Sequence, residues 1–120
     1  MKGILFFILF LSLTNQGFCQ VLQTGLASYY NDKFEGKLTA SGETYDATKM
    51  TAAHPTLPFG TRIRVTNVKN KKSVNVRVND RGPFIKGRIV DLSKAAAIQL
   101  GFLNHGIAKV KLEVIKEDGY

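Results

Sequence analysis

The sequence predicts a mainly β fold, a small closed barrel carrying one short helix, and three observations point there. Apolar residues recur at every second position in residues 61–66, 73–78 and 107–115, the pattern of strands with one buried and one wet face. Only residues 93–101 carry helix signals, with Ser93 as a cap, helix formers behind it and Gly101 as the stop. Cys19 is the single cysteine, which excludes an intrachain disulfide and a Cys-based zinc site. A hydrophobic core alone must therefore hold the chain, and a closed β-structure can do that.

At 120 residues the chain holds one domain and one site at most. Hydrophobic residues at 44% and charged ones at 22% exclude a disordered or collagen-like chain. With 17 Lys and Arg against 9 Asp and Glu, the formal charge is +8, a balance that favours anionic partners. Two His argue against a multi-His metal site.

In chain order, residues 2–19 have the pattern of an export signal. Lys2 precedes an apolar run, residues 4–13, that is too short for the roughly 20 residues spanning a bilayer, and small residues follow at Gly17 and Cys19. Cleavage after Cys19 gives a signal peptide, 1–19, and a domain, 20–120, without cysteine. The product would be periplasmic or associated with the cell envelope. A lipid anchor on Cys19 is the second reading, disfavoured because Phe18 stands where lipoprotein signals carry a small residue.

Residues 25–30 supply the first strand. Residues 31–59 show little regular pattern yet hold Glu43, Asp46 and His54, and a long irregular stretch in a compact domain is usually functional or mobile. Pro55, Pro58 and Pro83 push the residues before them toward extended conformations and stiffen these loops. Runs 61–66 and 73–78 flank the turn cluster 67–72, which gives an antiparallel hairpin with a solvated, lysine-rich tip. The helix spans about two turns, and 107–115 forms the last strand.

No thiol, metal cluster or phosphate-binding glycine loop is available, so the chemistry open to this domain is proton transfer by carboxylates, with His54 as a helper. Asp80 ends a strand ahead of the tight turn through Arg81, Gly82 and Pro83; it is either a rim carboxylate or a turn residue paired to Arg81. Asp91 lies two residues before the helix cap, where a carboxylate satisfies helix-end donors. Glu43 reads as a loop catalyst or a solvated surface residue, His54 as a hydrogen-bonding partner of substrate or carboxylate or as a loop residue, and His105 as a turn residue. Tyr29, Tyr30 and Tyr45 are sugar-ring platforms or core.

Taken in order, several blocks resemble one family. They are Gly25-Leu26-Ala27-Ser28-Tyr29-Tyr30, Thr39-Ala40-Ser41-Gly42-Glu43-Thr44-Tyr45-Asp46, and Thr51-Ala52-Ala53-His54-Pro55 through Thr61. Val78-Asn79-Asp80-Arg81-Gly82-Pro83-Phe84 and Ile89-Val90-Asp91-Leu92-Ser93-Lys94 follow. Together they are similar to the rare lipoprotein A (RlpA) family of bacterial envelope proteins, over roughly residues 25–114. The resemblance implies a six-stranded double-psi β-barrel with one or two short helices, related to expansins and family 45 endoglucanases. It also implies lytic transglycosylation of peptidoglycan: the C6 hydroxyl of N-acetylmuramic acid attacks C1 and leaves a 1,6-anhydro end, with a preference for peptide-stripped strands.

Carried over residue by residue, Asp80 is the acid/base, and Glu43 and His54 match the other polar positions of the family's site. Tyr29, Tyr45, Arg81 and Thr39 are carried as substrate-binding residues. The implied partner is the peptidoglycan glycan strand, with no nucleic acid, no stable membrane span, no metal and no cofactor, acting as a monomer. Pro55 departs from the family, which often has a basic residue after the His, and the sequence carries no peptidoglycan-binding SPOR module. Two alternatives remain open. One is a non-catalytic, expansin-like glycan-binding module. The other is an inverting glycoside hydrolase, in which Asp80 with Glu43 or Asp91 forms a carboxyl pair roughly 6.5 to 9.5 Å apart.

Overall fold

The computed structural model describes residues 19–116, so the expected export signal lies outside the described residues except for Cys19. Six strands form the wall: β1 (Cys19–Tyr29), β2 (Thr51–Ala53), β3 (Arg62–Asn67), β4 (Ser73–Asp80), β5 (Arg88–Leu92) and β6 (Ala108–Ile115). A 3-10 turn (Asp32–Phe34) follows β1, and the helix α1 (Lys94–Leu100) follows β5. The strands close in the order β1-β5-β2-β4-β3-β6. Two neighbouring pairs, β1 with β5 and β2 with β4, are parallel, and the other four are antiparallel. The fold is the six-stranded double-psi β-barrel with one α-helix. Among the described residues no helix is long and apolar enough to cross a membrane.

Alternation decides what faces inward. In β3 Ile63, Val65 and Asn67 are buried, and in β4 Val74, Val76 and Val78 are, while the residues between them meet solvent more. Val90, Leu92, Val110 and Leu112 complete the barrel interior, and Ala96, Ala97, Leu100 and Phe102 add the helix side of the core. The β3–β4 hairpin forms as its pattern predicts, with Val65 opposite Val74 and the lysine-rich tip exposed. The helix begins at its expected cap, where the Ser93 hydroxyl accepts from the Ala96 amide at 3.3 Å. It ends at Gly101, whose amide donates to the Ala97 and Ile98 carbonyls. The side-chain amides of Asn67 and Asn70 both donate to the Leu100 carbonyl at 2.9 Å, so the helix end leans on the hairpin.

Three placements differ from the sequence reading. β1 starts at Cys19, ahead of residue 25, because β6 is long enough to pair with it as far as Ile115. β2, inside the stretch that looks irregular, is three residues long and buried throughout, so it has no wet face to produce alternation. β5 lies between β1 and β2, and it carries Asp91 on a strand rather than on the approach to the helix.

Candidate active site

A groove of about 470 Å³ opens where β1, β4 and β5 end their buried runs. Ser28 and Tyr30 reach it from the end of β1, Asp80 and Arg81 from the end of β4, and Arg88 and Asp91 from β5. The two parallel pairings bring these segments together: Ser28 lies opposite Asp91 across β1/β5, and Ala53 lies opposite Asp80 across β2/β4.

Asp80 is held on both oxygens. Its Oδ1 accepts from the Ala40 amide at 2.8 Å and from the Arg81 amide at 2.9 Å. Its Oδ2 accepts from the Tyr30 hydroxyl. Burial pushes the Tyr30 phenol well above its ordinary range, and the Asp80 hydrogen bond and charge push it further, so Tyr30 enters the site as a proton-bearing donor. The Tyr30 ring stacks on Tyr45, centroids 4.4 Å apart, and meets the edge of Phe34 at 5.8 Å. On the opposite wall Asp91 accepts from the Ser28 hydroxyl at 2.7 Å and from the Arg88 guanidinium at 3.0 and 3.2 Å.

Glu43 lies in a separate hollow of about 420 Å³ with Thr44, Asp46, Lys49 and Arg77. Arg77 grips its carboxylate with two bonds of 2.8 and 3.0 Å, and the Asn79 amide adds a third at 3.1 Å. The Arg77 and then the Asn79 hydrogen bonds hold the Glu43 carboxyl below the usual range, so it stays anionic. Thr39, almost fully buried, donates its hydroxyl to the Glu43 carbonyl at 2.7 Å and closes the turn 39–43. That turn aims the Ala40 amide at Asp80, which connects Glu43 to the groove through the backbone.

His54 is 4% exposed and both ring nitrogens are engaged. Nδ1 accepts from the Thr56 and Leu57 amides at 3.1 and 3.2 Å, which puts the proton on Nε2, 2.8 Å from the Gln23 side-chain oxygen. Burial first, and the Arg81 charge second, lower its pKa below the ordinary 6.5. His54 reaches Asp80 by backbone, its amide donating to the Asp80 carbonyl at 3.1 Å. Arg81 in turn donates to the His54 and Leu57 carbonyls at 3.2 and 2.8 Å and lies 4.1 Å over the Phe59 ring, so its guanidinium is turned toward that loop.

Of the residues expected to contact substrate, Tyr29 and Arg81 border the groove, whereas Tyr45 and Thr39 are buried behind it. The Tyr29 hydroxyl donates to the Leu103 carbonyl at 2.7 Å and its ring packs edge-on against Phe102. Tyr45 accepts from the Lys94 amide at 3.1 Å, and Tyr30 covers one face of its ring, so the groove's aromatic lining is Tyr30 with Tyr29 and Phe34. The sequence reading did not single out Tyr30 as the partner of Asp80, nor Ser28 and Arg88 as partners of Asp91. The available signal was period two at the end of β1, which sends 28 and 30 to one side.

A family model described as lytic transglycolase matches residues 22–112, nearly the whole described chain and all of the groove. The chain belongs to the lytic transglycolase family. Its relatives include the endolytic peptidoglycan transglycosylase RlpA of Neisseria meningitidis serogroup A, 60% identical over 93 residues. That alignment covers 78% of this chain and 39% of the relative, so this family member spans well under half the length of the curated relative it matches. Among solved structures, the Streptomyces papain inhibitor is similar at TM-score 0.63 and 26% identity, over 80% of this chain and 97% of the inhibitor. An expansin from Clavibacter michiganensis shares the fold at TM-score 0.62 and 23% identity, over 81% of this chain and 52% of the expansin.

Proposed function

We propose that this domain is an exported endolytic peptidoglycan lytic transglycosylase that cleaves the β-1,4 bond between N-acetylmuramic acid and N-acetylglucosamine, with Asp80 as the acid/base. The observation that carries the reading is the asymmetric hold on Asp80 at the groove. Oδ1 is occupied by two fixed amides, which leaves Oδ2 as the oxygen able to carry a proton. Tyr30 serves that oxygen in either state, donating to the carboxylate and accepting from the acid.

The step closes without water. Asp80 gives its proton to the glycosidic oxygen as the C1–O4 bond breaks, and the muramic C6 hydroxyl bonds to C1. Its proton passes to the Asp80 carboxylate, which restores the acid, so one carboxyl group suffices. Glu43 and His54 act as positioning residues in this scheme, Glu43 through the 39–43 turn and His54 through the loop that seats Arg81.

A hydrolytic second reading has one observation in its favour, since Asp91 shares the groove with Asp80. Arg88 and Ser28 already occupy the Asp91 oxygens, which disfavours it as the base that activates a water. Mass spectrometry of peptidoglycan digested by the purified protein separates these outcomes. Anhydro-muramyl ends that fall by about 100-fold or more with Asp80→Asn support the transglycosylase. Reducing ends would give the hydrolase, and glycan binding without new ends would leave a wall-binding module.

A further inference from the structure

We propose that the hollow between the tip of the β3–β4 hairpin and the start of β6 is a second binding site, which takes a short acidic peptide of the kind that branches from peptidoglycan. The inference rests on the glycan-cleaving reading for the source of that peptide. The hollow measures about 510 Å³, larger than the Asp80 groove and within the size range of ligand sites. Asn67, in its lining, donates its backbone amide to the Lys72 carbonyl just before β4, whereas Asp80 ends that strand. The eight residues of β4 therefore separate the two, roughly 20 Å along the strand.

The lining combines charge with apolar surface. Lys69, His105 and Lys109 share it with Phe102, Ile107 and Ala108, and among the described residues no Asp or Glu does. Lys72 joins the rim, its Nζ 3.8 Å from where a Cβ on Gly101 would stand. Among the described residues none of these three lysines pairs with a carboxylate, whereas in the Asp80 groove Arg88 is bound to Asp91. Ile107 stays half-exposed inside this ring of charge. Lysines beside a helix end often serve to cap it, but here the Asn67 and Asn70 side-chain amides already take the Leu100 carbonyl. Both sides of the hollow are fixed, since the Val68 amide donates to the Lys109 carbonyl at 3.0 Å and the His105 and Gly106 amides donate to the Phe102 carbonyl at 3.0 Å.

The ligand follows from what uses both halves of this lining. An inorganic anion leaves the apolar wall unused, and a neutral sugar chain leaves the cations unused. A bilayer face is flat and enters no hollow. Nine described residues line the site, against the roughly 20 to 30 per side of a stable protein interface, so a short chain fits and a folded partner does not. Stem peptides of peptidoglycan present free carboxylates beside alanine methyl groups, which match the ammonium groups and the apolar wall. A peptide held there keeps the domain on the wall while the distant Asp80 groove stays open to a glycan strand.

The test follows backbone amide signals of the isotope-labelled protein by NMR. It is titrated with the soluble stem peptide that an amidase releases from peptidoglycan, with the same peptide after its carboxylates are amidated, with inorganic phosphate, and with anionic phospholipid vesicles. Expected are saturable shifts at residues 67–70 and 101–109 and none at Asp80. The Kd is expected to rise about three- to tenfold in the double variant Lys69→Gln/Lys109→Gln and for the amidated peptide, because exposed charge pairs are individually weak. The amidated peptide probes the charge without altering the protein. No saturable shift, or an affinity indifferent to both changes, would overturn the site. Equal shifts with phosphate alone, or vesicle binding in place of peptide binding, would overturn the peptide as its ligand. Cleavage of peptide-free glycan, assayed in parallel, is expected to be the same in the double variant and the wild type. Peptide binding without cleavage would remove the glycan-cleaving reading and leave this site standing, and cleavage without peptide binding would do the reverse.

Discussion

Asp80 and Tyr30 sit fifty positions apart in the chain and share one hydrogen bond, and what each contributes can be separated by small changes. Tyr30→Phe removes the hydroxyl and keeps the ring that stacks on Tyr45. Turnover is expected to fall about ten- to a hundredfold with stability changed by about 1 kcal/mol, because the carboxyl loses its orienting partner but its two amide bonds remain. Kinetics and a thermal melt check this, and unchanged kcat would remove Tyr30 from the mechanism. The sequence could present Tyr29, Tyr30 and Tyr45 only as equivalent aromatics. Which one faces Asp80 depends on β1 ending at Tyr29 beside β5, a relation between distant segments.

The turn 39–43 is the element through which Glu43 bears on the site. Thr39, Ser41 and Glu43 bond to one another, and the Ser41 amide donates to the Asn79 carbonyl at 3.3 Å, so the turn docks on β4 beside Asp80. If Glu43 acts by positioning, Glu43→Gln retains most activity, since a carboxamide still accepts from Arg77 and Asn79, while Glu43→Ala loses it. If Glu43 moves a proton, both variants are equally inactive, and turnover assays of the pair decide between the two. Stability is expected to move by no more than about 1 kcal/mol, because Glu43 and Arg77 are 46% and 41% exposed. Strands β3, β4 and β6 and the capped helix were legible because each shows one wet face or a clear end signal. β2 was not, because it is three residues long and buried throughout, and β5 was not, because its alternation, with Val90 and Leu92 buried, lasts only five residues.

For the whole molecule, barrel closure leaves no strand edge among the described residues for another chain to extend, and the interior is apolar apart from satisfied groups such as Asn67 and Ser93. His54 couples this fold to pH. Its pKa is lowered from 6.5 in the folded state, so above 6.5 the imidazole is neutral in both states and its contribution is complete. As pH falls below 6.5 the unfolded chain takes up the proton first, and stability declines through the window down to the folded value. Glu43, also lowered, contributes above its ordinary 4.5 and loses that contribution only at more acidic pH. Denaturant midpoints measured from pH 8 to pH 5 are expected to fall below 6.5 in the wild type and to flatten there in His54→Gln. An equal slope in both would show that His54 is not the group responsible.

Local chemistry settled much in advance. Period two gave β3, β4 and β6, Ser93 and Gly101 bounded the helix, and the carboxylate before Arg81-Gly82-Pro83 marked the end of β4, because each of these signals lies within a few residues. Partners were decided by the tertiary structure. The parallel pairings set Ser28 beside Asp91 and Ala53 beside Asp80, the Gln23 side-chain oxygen accepts from His54 Nε2, and Arg77 donates to Glu43. Those pairs are joined by barrel closure across tens of residues, and a side chain's hydrogen-bond partner is a property of the space around it, which the order of residues along the chain does not list.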